Sequence, residues 1–370
     1  MLILEPGNPL HHSTRTLTST EHETTSAGST TPSVPTLSTA PSPAATPGLT
    51  SSVPSYIRPD DEGPSFSLNH LALMHHLERA KFAMLVGNEE EITGFFDMMF
   101  RTAYDVPYLM DEFLAFSALH LSTLHDDPPV KSRYRQQAAQ LQTRALTQFN
   151  SMDPETRNGK VLAMFVFSSM LGLHTLFETG ASFNGDLGDF LDSFIQYLTL
   201  HRGVQAVIRS NWDLIRNTEM KIVINPIEHY DRTNIPPGGL RAEKECAKLK
   251  DLVQGLSQSS GANPLVDTCL EGIKALEWVL ERHSGLDLRY KAQAVSAWPI
   301  MLSAEFIELL KQRRPEALAI SAHWAVVLHL NRQFWVYGDT GRILILAVTK
   351  HLGSYWDEWL AWPKEVLSDG

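Results

Sequence analysis

From Leu68 onward, apolar residues return at helical spacing. Leu68, Leu71, Leu73, Met74, Leu77, Phe82 and Leu85 fall near a 3.6-residue period, which predicts a first helix over 68–85. Asn88 is the residue type that caps a helix start. Glu89, Glu90 and Glu91 follow it, where the helix dipole favours negative charge, and Ile92, Phe95, Phe96, Met99 and Phe100 supply the apolar face. The pattern continues over 107–125, 129–149 and 158–177, and the last of these is apolar nearly all round, the mark of a central helix. After a loop at 180–188, helices are expected at 189–200 and 204–215, separated at Arg202-Gly203. The stretch 220–239 holds Pro226, Pro236, Pro237, Gly238 and Gly239 without a helical period and reads as a long connection. Amphipathic helices are expected at 240–256 and 264–282. Further helices follow at 290–311 with an interruption at Trp298-Pro299, at 316–335 opened by Pro315, at 338–352 and at 355–367. The β-branched run 343–348 is the best strand candidate, but its context is helical. The fold class expected is all-α: an irregular bundle of about a dozen helices.

Residues 1–66 differ from this body. The segment 13–55 is dominated by Ser, Thr, Pro and Ala, and Arg15 and Arg58 are the only Lys or Arg in the first 66 residues. Such a composition buries too little surface to offset its ordering entropy, so 1–66 is expected to be a disordered Ser/Thr/Pro-rich linker and 67–367 a helical domain.

Charge and chemistry narrow the function by exclusion. The chain carries 31 Lys+Arg against 42 Asp+Glu, a formal net charge of -11. A compact nucleic-acid binder carries a basic surface, so no direct DNA binding is expected of the residues present. Cys246 and Cys269 are the only cysteines. Two exclude a disulfide framework and an all-cysteine zinc site, and they read as two reduced, helix-borne thiols, with a mutual disulfide as the lesser alternative. The apolar opening MLILEP is too short for a signal peptide, and the apolar runs 161–173 and 317–330 fall short of a membrane span. Dinucleotide, P-loop, nucleophile-elbow and H-E-x-x-H signatures are all missing, so no catalytic residue, metal site or cofactor is assigned. His70, His75 and His76 share one helix, but His70 and His75 point in different directions. His323 and His329 lie near opposite sides of theirs. His174, on the most apolar helix, is either a hydrogen-bonded core histidine or a contact for a ligand's polar group.

Several consecutive segments resemble one family. Residues 110–121 (MDEFLAFSALHL) are similar to the hallmark helix of the regulatory domain of fungal binuclear zinc-cluster transcription factors. Residues 134–138 (YRQQA), followed by Ala145-Leu146, resemble the next helix of that domain, with Leu141 where the family often has His. Residues 200–204 (LHRGV) resemble its R-G-V turn. Residues 314–325 (RPEALAISAHWA), 334–341 (FWVYGDTG) and 356–363 (WDEWLAWP) are similar to segments of the sterol uptake control branch. The resemblance spans about 67–367. It implies a helical effector domain of a nuclear regulator, without the six-cysteine zinc cluster that binds DNA in the family. The expectation is either a gene whose first exon is missing from this sequence or a finger-less homologue. In that branch the domain holds a hydrophobic pocket for a sterol.

The candidate pocket residues are Met164, Phe167, Met170, Leu171, His174 and Phe177 on one helix, with Trp324, Trp335, Gly338 and Gly341 from the similar C-terminal segments. Met and aromatic side chains suit an irregular apolar cavity, and equally a plain core. Gly338 and Gly341 allow close backbone approach to a ligand or to a neighbouring helix. Trp356, Trp359 and Trp362 form one face that packs on the body more readily than it binds a ligand. The partners expected are a sterol or other hydrophobic small molecule, and a related factor as homo- or heterodimer. The competing function is a ligand-free interaction module. An all-α enzyme acting on a hydrophobic metabolite comes last.

Overall fold

The computed structural model describes residues 67–84, 89–153, 160–218, 220–230, 237–257 and 263–368. The expected linker 1–66 lies outside them. Among the described residues there are fourteen α-helices and no strand. In chain order they are α1 (Leu68–Met84), α2 (Glu89–Tyr104), α3 (Pro107–Leu124), α4 (Pro128–Ser151), α5 (Val161–Ala181), α6 (Leu187–Arg216) and α7 (Lys221–Glu228). Then come α8 (Pro237–Gln254), α9 (Pro264–Gly285), α10 (Leu288–Met301), α11 (Ala304–Lys311), α12 (Pro315–Leu330), α13 (Thr340–Leu352) and α14 (Ala361–Ser368).

Two helices act as hubs. Every residue of α3 from Tyr108 to His120 is buried, and every residue of α12 from Glu316 to His329 is buried. A helix apolar all round has no face for solvent, so neighbours must surround it. Around α3 stand α1, α2, α4 and α5; around α12 stand α9, α10, α11, α13 and α14. Helix α4 is mostly polar, and its buried residues are the stripe Ala138, Leu141 and Ala145. The pair α5–α6 joins the halves, since α5 packs on α3 and α6 packs on α10, α11 and α13.

Close approach rests on two glycines. At Gly172 of α5 a Cβ would lie 2.0 Å from Nδ1 of His201 on α6, so the imidazole fills the space a side chain would need. At Gly341 of α13 a Cβ would lie 2.4 Å from the backbone N of His329 and 2.7 Å from the carbonyl O of Ala325. The backbones of α12 and α13 touch there, and any larger residue would separate them.

The helix boundaries depart from expectation in five places. Helix α6 runs unbroken through Arg202-Gly203. Its buried stripe Phe190, Phe194, Tyr197, Leu198 and His201 continues to that point, and an interior Gly costs only about 1 kcal/mol relative to Ala, less than this packing returns. Helix α7 occupies part of the expected irregular connection and buries Ile224. Pro299 lies inside α10; the break falls later, where the Ser303 hydroxyl accepts from the N–H of Phe306 at 3.2 Å and caps α11. The last predicted helix is a single 3-10 turn, Ser354–Trp356, then a turn and α14. The β-branched run 343–348 is helical, with Ile343, Leu344, Ile345, Ala347 and Val348 all buried in α13. Helix α12 stops at Leu330, and consecutive turns carry the chain through 331–339.

Cys246 on α8 and Cys269 on α9 are free and buried, and burial pushes both thiols up to about 12. Helix α5, at 21 residues, is long and apolar enough to cross a bilayer by length and composition; here half of its apolar window is buried, and it packs on α3, α6 and α13.

Candidate functional site

Helix α3 carries two adjacent buried carboxylates that face different neighbours. Successive helical residues are rotated by about 100°. Asp111, fully buried, therefore meets α4: it accepts from Arg144 Nε at 2.6 Å, from a second nitrogen of the same guanidinium, and from Gln148 Nε2 at 3.0 Å. Glu112, also fully buried, meets α5, with its Oε1 3.2 Å from Nδ1 of His174. Burial pushes the Glu112 carboxyl above its ordinary range, and the bond from His174 pulls it back. His174 is thus a hydrogen-bonded core histidine.

Two further side chains tie α1 to the hub. The Ser117 hydroxyl donates to the carbonyl of Leu73 at 2.7 Å, and His76 Nε2 lies 3.1 Å from His120 Nδ1. Burial lowers both imidazoles, His120 to about 4. His120 also faces the Trp335 ring, with centroids 5.1 Å apart.

The ten predicted pocket residues fall into separate groups. Phe167 is wholly buried, edge-on to Tyr108 at 5.0 Å and against Phe149 at 5.0 Å. Met170 is buried, while Met164 and Leu171 are half-buried on the same helix. Phe177 meets Trp335 at 5.4 Å, and Trp335 packs at 4.8 Å on Phe116; these rings and His120 form one aromatic cluster, buried at Phe116 and His120 and half-buried at Phe177 and Trp335, joining α3, α5 and the turns after α12. Among the described residues the buried indole N–H of Trp335 has no hydrogen-bond partner. Trp324 lies elsewhere, stacked on Trp298 at 5.0 Å and Phe194 at 5.8 Å, with its N–H donating to the Val295 carbonyl at 3.0 Å. Gly338 takes a φ of +43° in the turns, and Gly341 forms the α12–α13 crossing. The structure therefore brings Phe177 and Trp335 together and leaves Trp324 apart from both.

A half-open cavity of about 790 Å³ lies between α1, α3 and α4. Its apolar floor includes Leu73, Leu121 and Leu141; its walls present Arg133, Tyr134, Gln136, Gln137, Gln140 and Arg144 from α4, with His70 and His76 from α1. None of the ten predicted residues lines it. Sequence reasoning missed it because Gln and Arg on a helix read as a solvated face. The available signal was that residues 133, 137, 140 and 144 fall on one side of that helix. Among the described residues no group of three metal-ligating side chains occurs.

No protein-family model matches the chain. Over 341 aligned residues the chain is 24% identical to a Zn(2)-C6 fungal-type transcription factor of Gibberella zeae. The alignment takes in 84% of this chain and 65% of that protein, so the chain spans about two thirds of the length of the relative it matches. This distant likeness supports the broad class of fungal zinc-cluster transcriptional regulators, and the all-α architecture accompanies it.

Proposed function

We propose that the helical body is the effector domain of a nuclear transcriptional regulator of the fungal zinc-cluster class, with residues 1–66 as its linker. The observation that carries this reading is the likeness to the Gibberella zeae factor over 84% of the chain. With only two cysteines in the chain, these 370 residues cannot form a six-cysteine zinc cluster. The test is a reporter assay with the full chain fused to a heterologous DNA-binding domain. The fusion is expected to change transcription from the cognate promoter, in either direction. A fusion that is folded, nuclear and without effect overturns the reading.

The finer reading is that the domain belongs to the sterol uptake control-like branch and answers to a sterol or other hydrophobic molecule. The aromatic cluster of Phe116, Phe177 and Trp335 supports it, because among the described residues nothing accepts from its indole N–H, which lies beside apolar rings. A molecule that binds the folded chain raises its melting temperature by mass action. A sterol panel is expected to raise it, and Trp335→Ala to abolish the rise. No shift with any sterol removes the sterol and leaves the effector domain standing.

A second reading, a ligand-free interaction module that pairs with a related factor, is favoured by the packing of Phe167 and Trp324. Each is sealed among aromatic rings, with no more than 1% of its surface exposed. Sedimentation of the chain alone and with an intact zinc-cluster factor separates this reading from the first.

A further inference from the structure

The groove between α1, α3 and α4 differs in chemistry from the aromatic cluster around Trp335. Its volume, about 790 Å³, suits a small organic molecule. Arg133, Gln137, Gln140 and Arg144 stand at i, i+4, i+7 and i+11 on α4 and make a continuous polar stripe along one wall. Among the described residues no carboxylate lines the groove, although the chain carries 42 acidic residues against 31 Lys and Arg.

The two arginines are not equivalent. Arg144 is committed to Asp111, which is wholly buried and bonded to that guanidinium through both oxygens. Arg133 is exposed, and the contact that the described residues give it is the ring of Tyr134, 5.5 Å from the guanidinium carbon. Among the described residues the groove thus offers one guanidinium with no carboxylate partner, a row of amides that both donate and accept, and a leucine floor. A cation without a carboxylate partner selects an anion, and guanidinium geometry matches carboxylate and phosphate. Amides match hydroxyl groups.

We infer that this groove binds a small polyhydroxylated organic anion, with its carboxylate or phosphate on Arg133 and its hydroxyls along Gln137 and Gln140. The ligand bridges α4 to α1 across the groove. The site is separate from the apolar effector site proposed above and stands or falls independently of it.

The test is calorimetric titration of the full chain with gluconate, a hexose phosphate, inorganic phosphate and glucose, at low and high salt. Gluconate or the hexose phosphate is expected to bind one per chain and more weakly at high salt, as an ionic contact should. Whichever binds identifies the anionic group. Arg133→Ala is expected to weaken binding roughly tenfold or more, the loss of one charge-assisted contact, while leaving the melting temperature in place because the side chain is exposed. Gln137→Ala is expected to weaken it less. The proposal is overturned if neither organic anion saturates, if Arg133→Ala binds like the parent chain, or if glucose or inorganic phosphate binds as tightly as the organic anions. It is equally overturned if an acidic peptide binds where the small anions do not.

Discussion

The two hub helices are buried to the same degree and held by different means. On α3 most of the buried polar side chains reach outward: Asp111 to α4, Glu112 to α5, and Ser117 and His120 to α1, while Ser122 turns back to the Leu119 carbonyl. On α12 they turn inward. Ser321 donates to the carbonyl of Ala317 at 2.9 Å, and His323 Nδ1 lies 2.8 Å from the carbonyl of Ala319, both one turn back on the same helix. The neighbours of α12 are met mainly by rings and methyl groups, with Trp324 stacked between Trp298 and Phe194, and by one named hydrogen bond, from the Trp324 N–H to the Val295 carbonyl of α10. Apolar packing is non-directional, so α12 is fixed by shape. Hydrogen bonds are directional, so α3 has each neighbour set at a particular point along its length. The difference teaches that equal burial does not imply equal sensitivity. Lost volume is expected to hurt α12, and lost polar partners to hurt α3.

Acid is expected to have the largest effect, and it strikes both hubs. Burial holds His120 and His323 at about 4, as it does His201 and His283. Their unfolded values lie near 6.5. Between about pH 6.5 and 4 the unfolded chain takes up protons that the folded chain refuses, so stability falls as pH falls through that window. Glu112 has the opposite sign. Its raised carboxyl contributes most below its ordinary value, and that contribution is lost as pH rises through the folded value. Four histidines outweigh one carboxyl, and a melting-temperature series is expected to drop steadily from neutral pH to pH 5. A flat series would falsify the neutral assignment of these imidazoles.

Next in size is Trp324→Ala, expected to cost about 3–5 kcal/mol in denaturant unfolding, because it empties the centre of an aromatic stack. A loss under about 1 kcal/mol would show that α12 is not fixed by shape. Arg144→Met leaves Asp111 buried with Gln148 as its remaining named partner. Breaking a buried pair costs about 3–5 kcal/mol, and the third of Arg144 that is exposed lowers the expectation to about 2. If restoring neutrality with Asp111→Asn recovers none of it, the charge argument fails. The smallest effect sharpens the contrast most. Ser117→Ala severs a tie between helices and is expected to cost about 1 kcal/mol. Ser321→Ala removes a bond within one helix and replaces it with a better helix former, for a change near zero. Equal losses would erase the distinction between the hubs.

How much of this was legible depends on the range of the interaction. The apolar runs that became α3 and α12 declare themselves, since a helix with no polar face must be central. The cap named from sequence, Asn88, lies outside the described residues; Asn263, a residue of the same type not named as a cap, accepts from the N–H of Leu265 at 3.2 Å at the start of α9. The continuity of α6 was hidden because Gly203 is a local signal, while the packing that carries the helix past it is tertiary. The groove was hidden for the same reason: Arg133 and His76 are 57 positions apart and meet only when α1 and α4 settle on α3. The pair Asp111-Glu112 did carry a signal, two acids inside an otherwise apolar helix, but not the identity of Arg144 and His174 as their partners.

The imidazole of His201 occupies the volume that Gly172 leaves empty, and this ties the histories of the two positions together. A side chain gained at 172 has nowhere to go unless 201 shrinks first. A residue smaller than His at 201 leaves a hole that only growth at 172 can fill. Among descendants of this chain the two sites are expected to change as a couple or stay as they are.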